Sequence, residues 1–382
     1  MLIVPFYLVM FMKFVFNILL VLISLSSAHA DDKFSMKINA YIDTYIATDN
    51  DKQPKPWDTI SGTKKRTLAS VGMLKDEFGI NIAQIGADIK YSDDVRAKLV
   101  LQTGNLPEFA YSKYDANIQQ ASVGYRLFEK LWLDAGSFFT HIGAESYLPK
   151  DNWLSSHSLV TLFEPFYQQG IKATWEGEFT TAGIYLLNGN GILEDNNDNK
   201  SFGTYLLYST GEVFSVSYSG IYGNEAVGSP AKSQMHVFHN ICFFLSPSDK
   251  ISLKAQFDYS TLEDAFINED GDTTGGTYIG FSAQARYKMS DKLSGTIRFA
   301  YTDNSQNIYP LLTNGFDGMA ITGGMEYKPS EKSFIRLEAR MISMNEGEEK
   351  KGYPGRIFYD GKDFVNSRME LMLNFGVWFD NN

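Results

Sequence analysis

The sequence predicts an all-β chain: a transmembrane antiparallel up-and-down β-barrel of about sixteen strands. Three observations carry this. The first is alternation. Over 251–260, Ile251, Leu253, Ala255, Phe257 and Tyr259 alternate without a break with Ser252, Lys254, Gln256, Asp258 and Ser260. A strand points successive side chains to opposite faces, so this stretch has one apolar and one polar face. The second is loop sorting, since similar stretches recur along the chain with connectors that are short and long in strict turn. Bacterial barrels have short periplasmic turns, long external loops and an even strand number. The third is that no run of about 20 apolar residues, the length of a helical span, follows residue 30.

Residues 1–30 read as a secretory signal peptide. Lys13 precedes the apolar run Phe14 to Leu25, and Ala28-His29-Ala30 forms a small-x-small cleavage site. The mature chain, 31–382, then reads as one outer-membrane barrel domain. With 28 Phe and 22 Tyr the chain is rich in the aromatics that strands and membrane interfaces favour. A net charge of −11 excludes nucleic acid as a partner, because phosphate contacts need clustered Lys and Arg. A single cysteine, Cys242, excludes an intrachain disulfide framework.

The strands are expected in order. The first spans 36–46, with Met36, Ile38, Ala40 and Ile42 on one face. Residues 48–76, with Pro54, Pro56 and Gly62, form a long loop. The strand 77–91 changes phase: Phe78, Ile80 and Ile82 share one parity, Ile85, Ala87 and Ile89 the other. One extra residue near Ala83–Gln84 accounts for this, which predicts a bulge. Strands then fall near 95–103, 117–127, 131–140, 166–176, 179–188, 201–209, 213–222, 235–245, 251–260, 277–289, 293–302, 319–328, 333–343 and 368–379. The last carries Leu371, Leu373, Phe375, Val377 and Phe379 on one face, like the C-terminal assembly signal of outer-membrane proteins, although three polar residues follow. Sixteen strands enclose a lumen too wide for side chains alone to fill, so the apolar faces must meet lipid and the polar faces water. Phe257→Arg is therefore expected to be costly and Gln256→Arg mild.

One stretch is more specific. Gly136, Phe138, Thr140, Ile142-Gly143 and Glu145 are followed by Asn152, Ser156 and Ser158, then by Pro165-Phe166-Tyr167 and Gly170. This resembles the OmpL-like β-barrel porins, which carry a similar G-x-F-x-T-x-I-G-x-E segment, a serine-rich loop and a P-F-Y-x-x-G strand start. The resemblance implies a bacterial outer-membrane pore that passes small hydrophilic solutes by diffusion. Its partners would be outer-membrane lipid and those solutes, with a homo-oligomer as a further option and no cofactor.

In such a barrel the third long loop, 141–165, is expected to fold inward and narrow the channel. Trp153, Leu154, Leu159, Val160, Leu162 and Phe163 are too apolar for free solvation. Glu145, Asp151 and Glu164 would then face Arg96, Lys98 and Arg126 across a gap, setting a transverse field. The pore-lining charges by strand parity are Lys37, Asp43, Arg96, Lys98, Arg126, Asp134, Arg286, Arg298, Arg336, Arg340 and Arg368. Lys172, Glu176, Lys254, Asp258, Glu326, Glu338 and Glu370 share the inward face. Basic members outnumber acidic ones, which predicts a weak anion preference. The bland alternative is cross-strand pairing that merely keeps the wall polar.

Other candidates are weaker. His236 and His239 lie three apart on a strand, hence on opposite faces, which argues against a shared metal. Ser156-His157-Ser158 and His141 invite comparison with hydrolytic sites, but neighbours in sequence seldom orient as nucleophile and base. Asp195 to Asn199 and Asn268 to Asp272 offer oxygen ligands for Ca²⁺, though solvated loop tips account for them better. A surface-binding barrel with a plugged lumen is the main functional alternative, and an outer-membrane enzyme the next.

Overall fold

The computed structural model describes residues 34–52, 65–111, 117–191, 193–195, 197, 199–226, 234–267, 273–309, 315–345 and 357–381, without the side chains of 265–267 and 273. The expected signal peptide, the tip Asn268 to Asp272, and Asn196 and Asp198 lie outside them. Sixteen strands close into one antiparallel barrel in chain order. They are β1 Phe34–Asp49, β2 Glu77–Tyr91, β3 Val95–Thr103, β4 Ile118–Phe128, β5 Leu131–Phe139, β6 Tyr167–Glu176, β7 Thr180–Leu187 and β8 Ser201–Ser209. Then follow β9 Phe214–Asn224, β10 Met235–Ser248, β11 Ile251–Ile267, β12 Thr273–Lys288, β13 Leu293–Asn304, β14 Phe316–Tyr327, β15 Ser333–Met344 and, after a loop hairpin of β16 Phe358–Tyr359 and β17 Phe364–Val365, the closing strand β18 Ser367–Asp380. A short helix, α1 Asn105–Ala110, follows β3.

Closure satisfies the backbone without an edge, which hydrocarbon requires. β18 pairs with both β15 and β1, with Ile42 opposite Val377 at the seam. Here Asn374 of β18 donates to the Asp43 carboxylate and to the Thr44 carbonyl of β1. Above it, Arg66 bridges Asp49 of β1 at 3.0 Å and Glu370 of β18 at 2.8 Å.

The burial pattern is inside out relative to a soluble barrel. Phe257, Ile297 and Leu337 are 45%, 58% and 49% exposed on the outer face. Near the short turns Trp175, Tyr208, Tyr287, Tyr327 and Phe379 are also exposed, placing aromatics where a membrane interface would lie. Inward residues such as Gln256, Asp258 and Ser260 are buried.

The bulge sits two residues earlier than expected. Asp43 pairs with Ile82 and Thr44 with Ile80, so Asn81 is the extra residue. Ile82 is consequently buried in the lumen and not outward with Ile80. The reason is polar: Asn81 turns inward, donating to Asp43 at 2.8 Å and accepting from the Gly72 amide at 2.8 Å.

Two loops fill much of the lumen. The segment 65–76 places Leu68, Val71 and Met73 inside. The third loop, 140–166, runs through two short 3₁₀ turns, Pro149–Asp151 and Thr161–Phe163. Its Leu159, Val160, Leu162 and Phe163 pack on Ile221, Phe238, Tyr278 and Phe316 of the inner wall. A sixteen-stranded barrel thus acquires a core from its loops.

Candidate pore constriction

Entry of the third loop into the lumen depends on local sequence. Thr140 Oγ1 accepts from the Ile142 amide at 3.1 Å, and Ile142 is buried. Gly143 has φ +94°, and a Cβ there would lie 2.5 Å from a Glu164 carboxylate oxygen. Only glycine meets both conditions. Its amide donates to Asn240 Oδ1 at 3.2 Å, and the next amide, Ala144, donates to Gln256 Oε1 at 2.9 Å. At the loop's exit Phe166 packs on His157 and Tyr147, while Tyr167 stacks on Tyr111 at 4.1 Å.

Four wall arginines then bind loop carbonyls. Arg298 donates to Ser156 O at 2.6 Å and to His157 O at 3.3 Å. Arg336 donates to Pro149 O and Asn152 O, both at 2.7 Å. Arg340 spans both loops, reaching His157 O at 3.2 Å and Leu68 O at 3.0 Å, and Arg368 donates to Thr67 O. The guanidinium fork suits this, because one group can serve several acceptors. Carboxylates complete the network. Glu326 pairs with Arg336 at 2.6 Å and with Arg286, and Glu370 pairs with Arg340 at 2.6 Å. Glu338 accepts from the Ser155 and Ser156 amides and from Ser156 Oγ at 2.6 Å.

The loop carboxylates do not oppose Arg96, Lys98 and Arg126. Glu145 turns to the far wall, with Arg298 at 2.7 Å, Gln284 at 2.7 Å and the Ser158 amide at 2.7 Å. Burial works to raise its carboxyl, but the Arg298 guanidinium prevails and holds it at about 2. Glu164 accepts from Gln256 at 2.8 Å and lies beside Asp258. Burial and then the Asp258 charge push its carboxyl well above the usual range. Asp258 takes one hydrogen bond from Asn240 at 2.5 Å, and its Oδ2 finds no donor among the described residues. Asp151 alone of the three is exposed, paired to Lys150 at 2.7 Å. Arg96 is held by Asp134 at 2.7 Å and Glu176 at 3.1 Å, Lys98 by Asp88 at 3.0 Å and Arg126 by Asp94 at 2.8 Å.

The eleven charges named from strand parity as pore-lining lie on the inward side, but six of them are covered. Asp43, Asp134, Arg298, Arg336, Arg340 and Arg368 are nearly inaccessible, because the loops or neighbouring side chains lie over them. Arg286 keeps 16% of its side chain exposed, and Lys37 is exposed near the periplasmic end. Gln256 is not a free position either; it both donates to Glu164 and accepts from Ala144, so Gln256→Arg would disrupt the docked loop. The inward turn of 65–76 was missed, although its Leu68, Val71 and Met73 carry the same apolar signal as the third loop.

His236 faces inward to Ser260 and Tyr309 at 3.0 and 2.7 Å, while His239 faces outward to Tyr218 at 2.8 Å. His157 meets Ser70 at 2.8 Å, and its other nitrogen meets the Ser146 carbonyl at 3.0 Å. Both Ser70 and His157 are buried, so this pair tethers the two loops. Burial also pushes the His157 imidazole down, keeping it neutral. No group of three metal-binding side chains occurs among the described residues.

No curated protein sequence matches the chain. Solved outer-membrane proteins share its fold. An anion-selective porin from Comamonas acidovorans superposes with a TM-score of 0.60 at 10% identity, covering 91% of this chain and 100% of its own. The outer membrane channel DcaP of Acinetobacter baumannii gives 0.59 at 12% identity, covering 91% and 98%. OmpT of Vibrio cholerae, in a trimer form, gives 0.57 at 14%, covering 91% and 100%. The family model described as "Putative beta-barrel porin-2, OmpL-like" matches residues 35–379. The inward loop, the lipid-facing barrel and this match agree, and the chain belongs to the OmpL-like family of outer-membrane β-barrel porins.

Proposed function

We propose that the protein is a passive diffusion channel for small hydrophilic solutes, exported after removal of residues 1–30. The third loop forms the constriction of this channel. The observation that carries this is the docking of 140–166 against one side of the inner wall through Arg298, Arg336 and Arg340. Solutes pass between the loop and the opposite wall, β3 to β8. A channel of this kind sieves by width and needs no catalytic group, and the tethered Ser70–His157 pair has no access to substrate. The neighbouring trimer form extends the reading to an assembly of identical barrels.

The test is single-channel conductance of refolded protein in a planar bilayer. The full chain should conduct, and deletion of Ser146 to Leu159 should raise the conductance clearly. Absence of conductance in both would favour a barrel plugged by its loops that binds partners at its surface. Equal conductance in both would remove the loop from the constriction.

A further inference from the structure

The inward basic side chains of the barrel fall into two groups. Arg96, Lys98, Arg126, Arg286, Arg298, Arg336, Arg340 and Arg368 each have a carboxylate within salt-bridge distance. Lys172 of β6 and Lys254 of β11 do not. Neither makes an ion pair or a hydrogen bond among the described residues, and both are half-buried, not sealed. Each instead rests on an aromatic ring. Lys172 Nζ lies 4.5 Å from the centre of the Phe138 ring, and Lys254 Nζ lies 4.9 Å from that of Trp153.

This mode of support matters electrostatically. A ring's quadrupole holds an ammonium in place but carries no net charge, so the field of the lysine persists beyond it. A carboxylate would cancel it. The acids whose charge reaches them are already engaged: Asp134 and Glu176, beside Lys172, by Arg96, and Glu145, beside Lys254, by Arg298. Two ammonium groups without a salt-bridge partner among the described residues therefore remain on the inner wall.

Their placement puts them on the solute path. Lys172 lies four residues before the end of β6, and Lys254 three residues after the start of β11, so both stand in the periplasmic half of the barrel. Trp153 belongs to the third loop, so Lys254 borders the constriction itself. Lys172 pairs in register with Asp134 and Tyr185 on the wall that the loop leaves bare. Lys37 and Lys90, inward lysines that also lack an ion pair among the described residues, are exposed near the end of the barrel, Lys37 opposite Asp88 and Lys90 opposite Arg96.

We propose that Lys172 and Lys254 are the selectivity residues of this pore and that its preferred solutes are small anions. The inference rests on the channel reading above and names its solute class. An anion entering the constriction meets first one and then the other ammonium, neither of them held in a salt bridge.

The experiment is the reversal potential of the refolded full chain in planar bilayers under a KCl gradient. The wild type should favour chloride. K172Q/K254Q should lower the chloride-to-potassium permeability ratio by about two- to fivefold, since a unit charge about 4 Å from an ion is worth roughly fivefold in bulk water and salt screens part of it. K172R/K254R should keep the wild-type ratio. K130Q/K250Q, which removes two charges from exposed short turns, should leave it unchanged. Should the double variant fail to assemble, K172Q and K254Q singly carry the same test. A conducting K172Q/K254Q with the wild-type ratio would overturn the proposal and leave the channel standing. An equal shift from K130Q/K250Q would overturn it too, by showing that net charge decides. A wild type that never conducts would overturn both.

Discussion

The two sides of the lumen use the same residue types for different ends. On the side of β13, β15 and β18, arginines are between 1% and 4% exposed, and each binds a loop carbonyl. On the side of β3 and β4, the side chains of Arg96, Lys98 and Arg126 are 28%, 38% and 29% exposed and paired only to wall or turn carboxylates. Covered charge is structural, holding loops in place. Uncovered charge is in contact with water, where pairing contributes little. Inward parity alone therefore does not make a residue part of the solute path.

The contrast is sharpest at Arg298. Arg298→Ala leaves Glu145 buried without its ion pair, and should weaken loop docking by about 3–5 kcal/mol. Proteolysis within 140–166 and conductance noise would both report it. Replacing both partners, as in E145M/R298M, should recover most of the loss, because a matched apolar pair leaves no orphan charge. If Arg298→Ala leaves the loop as resistant as wild type, the covered side is not an anchor.

A middle-sized effect concerns pH. The Glu145 carboxyl is depressed to about 2, so its contribution is present above the ordinary carboxyl value of about 4.3 and is lost only as pH falls towards 2. Glu164 behaves oppositely. The docked loop holds a proton there that a free loop releases, so docking is full below the ordinary value and declines as pH climbs to the raised one. Loop proteolysis should therefore increase from mildly acidic to alkaline pH, and Glu164→Gln should flatten the profile. An unchanged slope in Glu164→Gln would place the titration elsewhere.

The smallest effect is expected on the bare side. Arg126→Gln, whose partner Asp94 is exposed, should change barrel stability by at most about 1 kcal/mol, read from the unfolding midpoint. A loss as large as that of Arg298→Ala would erase the distinction between the two sides.

Strands were legible because their signal is local. The bounds 77–91, 95–103 and 201–209 coincide with β2, β3 and β8. The phase change in β2 was legible too, but its position was not, since the inward pull on Asn81 comes from Asp43, 38 residues away. The inward course of the third loop could be read from its apolar residues. Its partners could not: Glu145 and Arg298 are 153 residues apart, and nothing local says which wall the loop will lean on. The free state of Lys172 and Lys254 is equally non-local, because it depends on where every nearby carboxylate has gone.

The seam between β1 and β18 has one more consequence. Two strands whose outer faces are apolar can slide past each other by two residues with every side chain still on its proper face. Such a slip shifts the pair by roughly 7 Å and is invisible to lipid. It is not invisible to Asp43. This fully buried carboxylate takes donors from Tyr41 on its own strand, Asn81 on β2 and Asn374 on β18. A slipped β18 would carry Asn374 out of reach and leave the charge short of a donor. The polar triad thus acts as a register pin for ring closure, distinguishing the correct alignment of the last strand from the neighbour that hydrophobicity would accept.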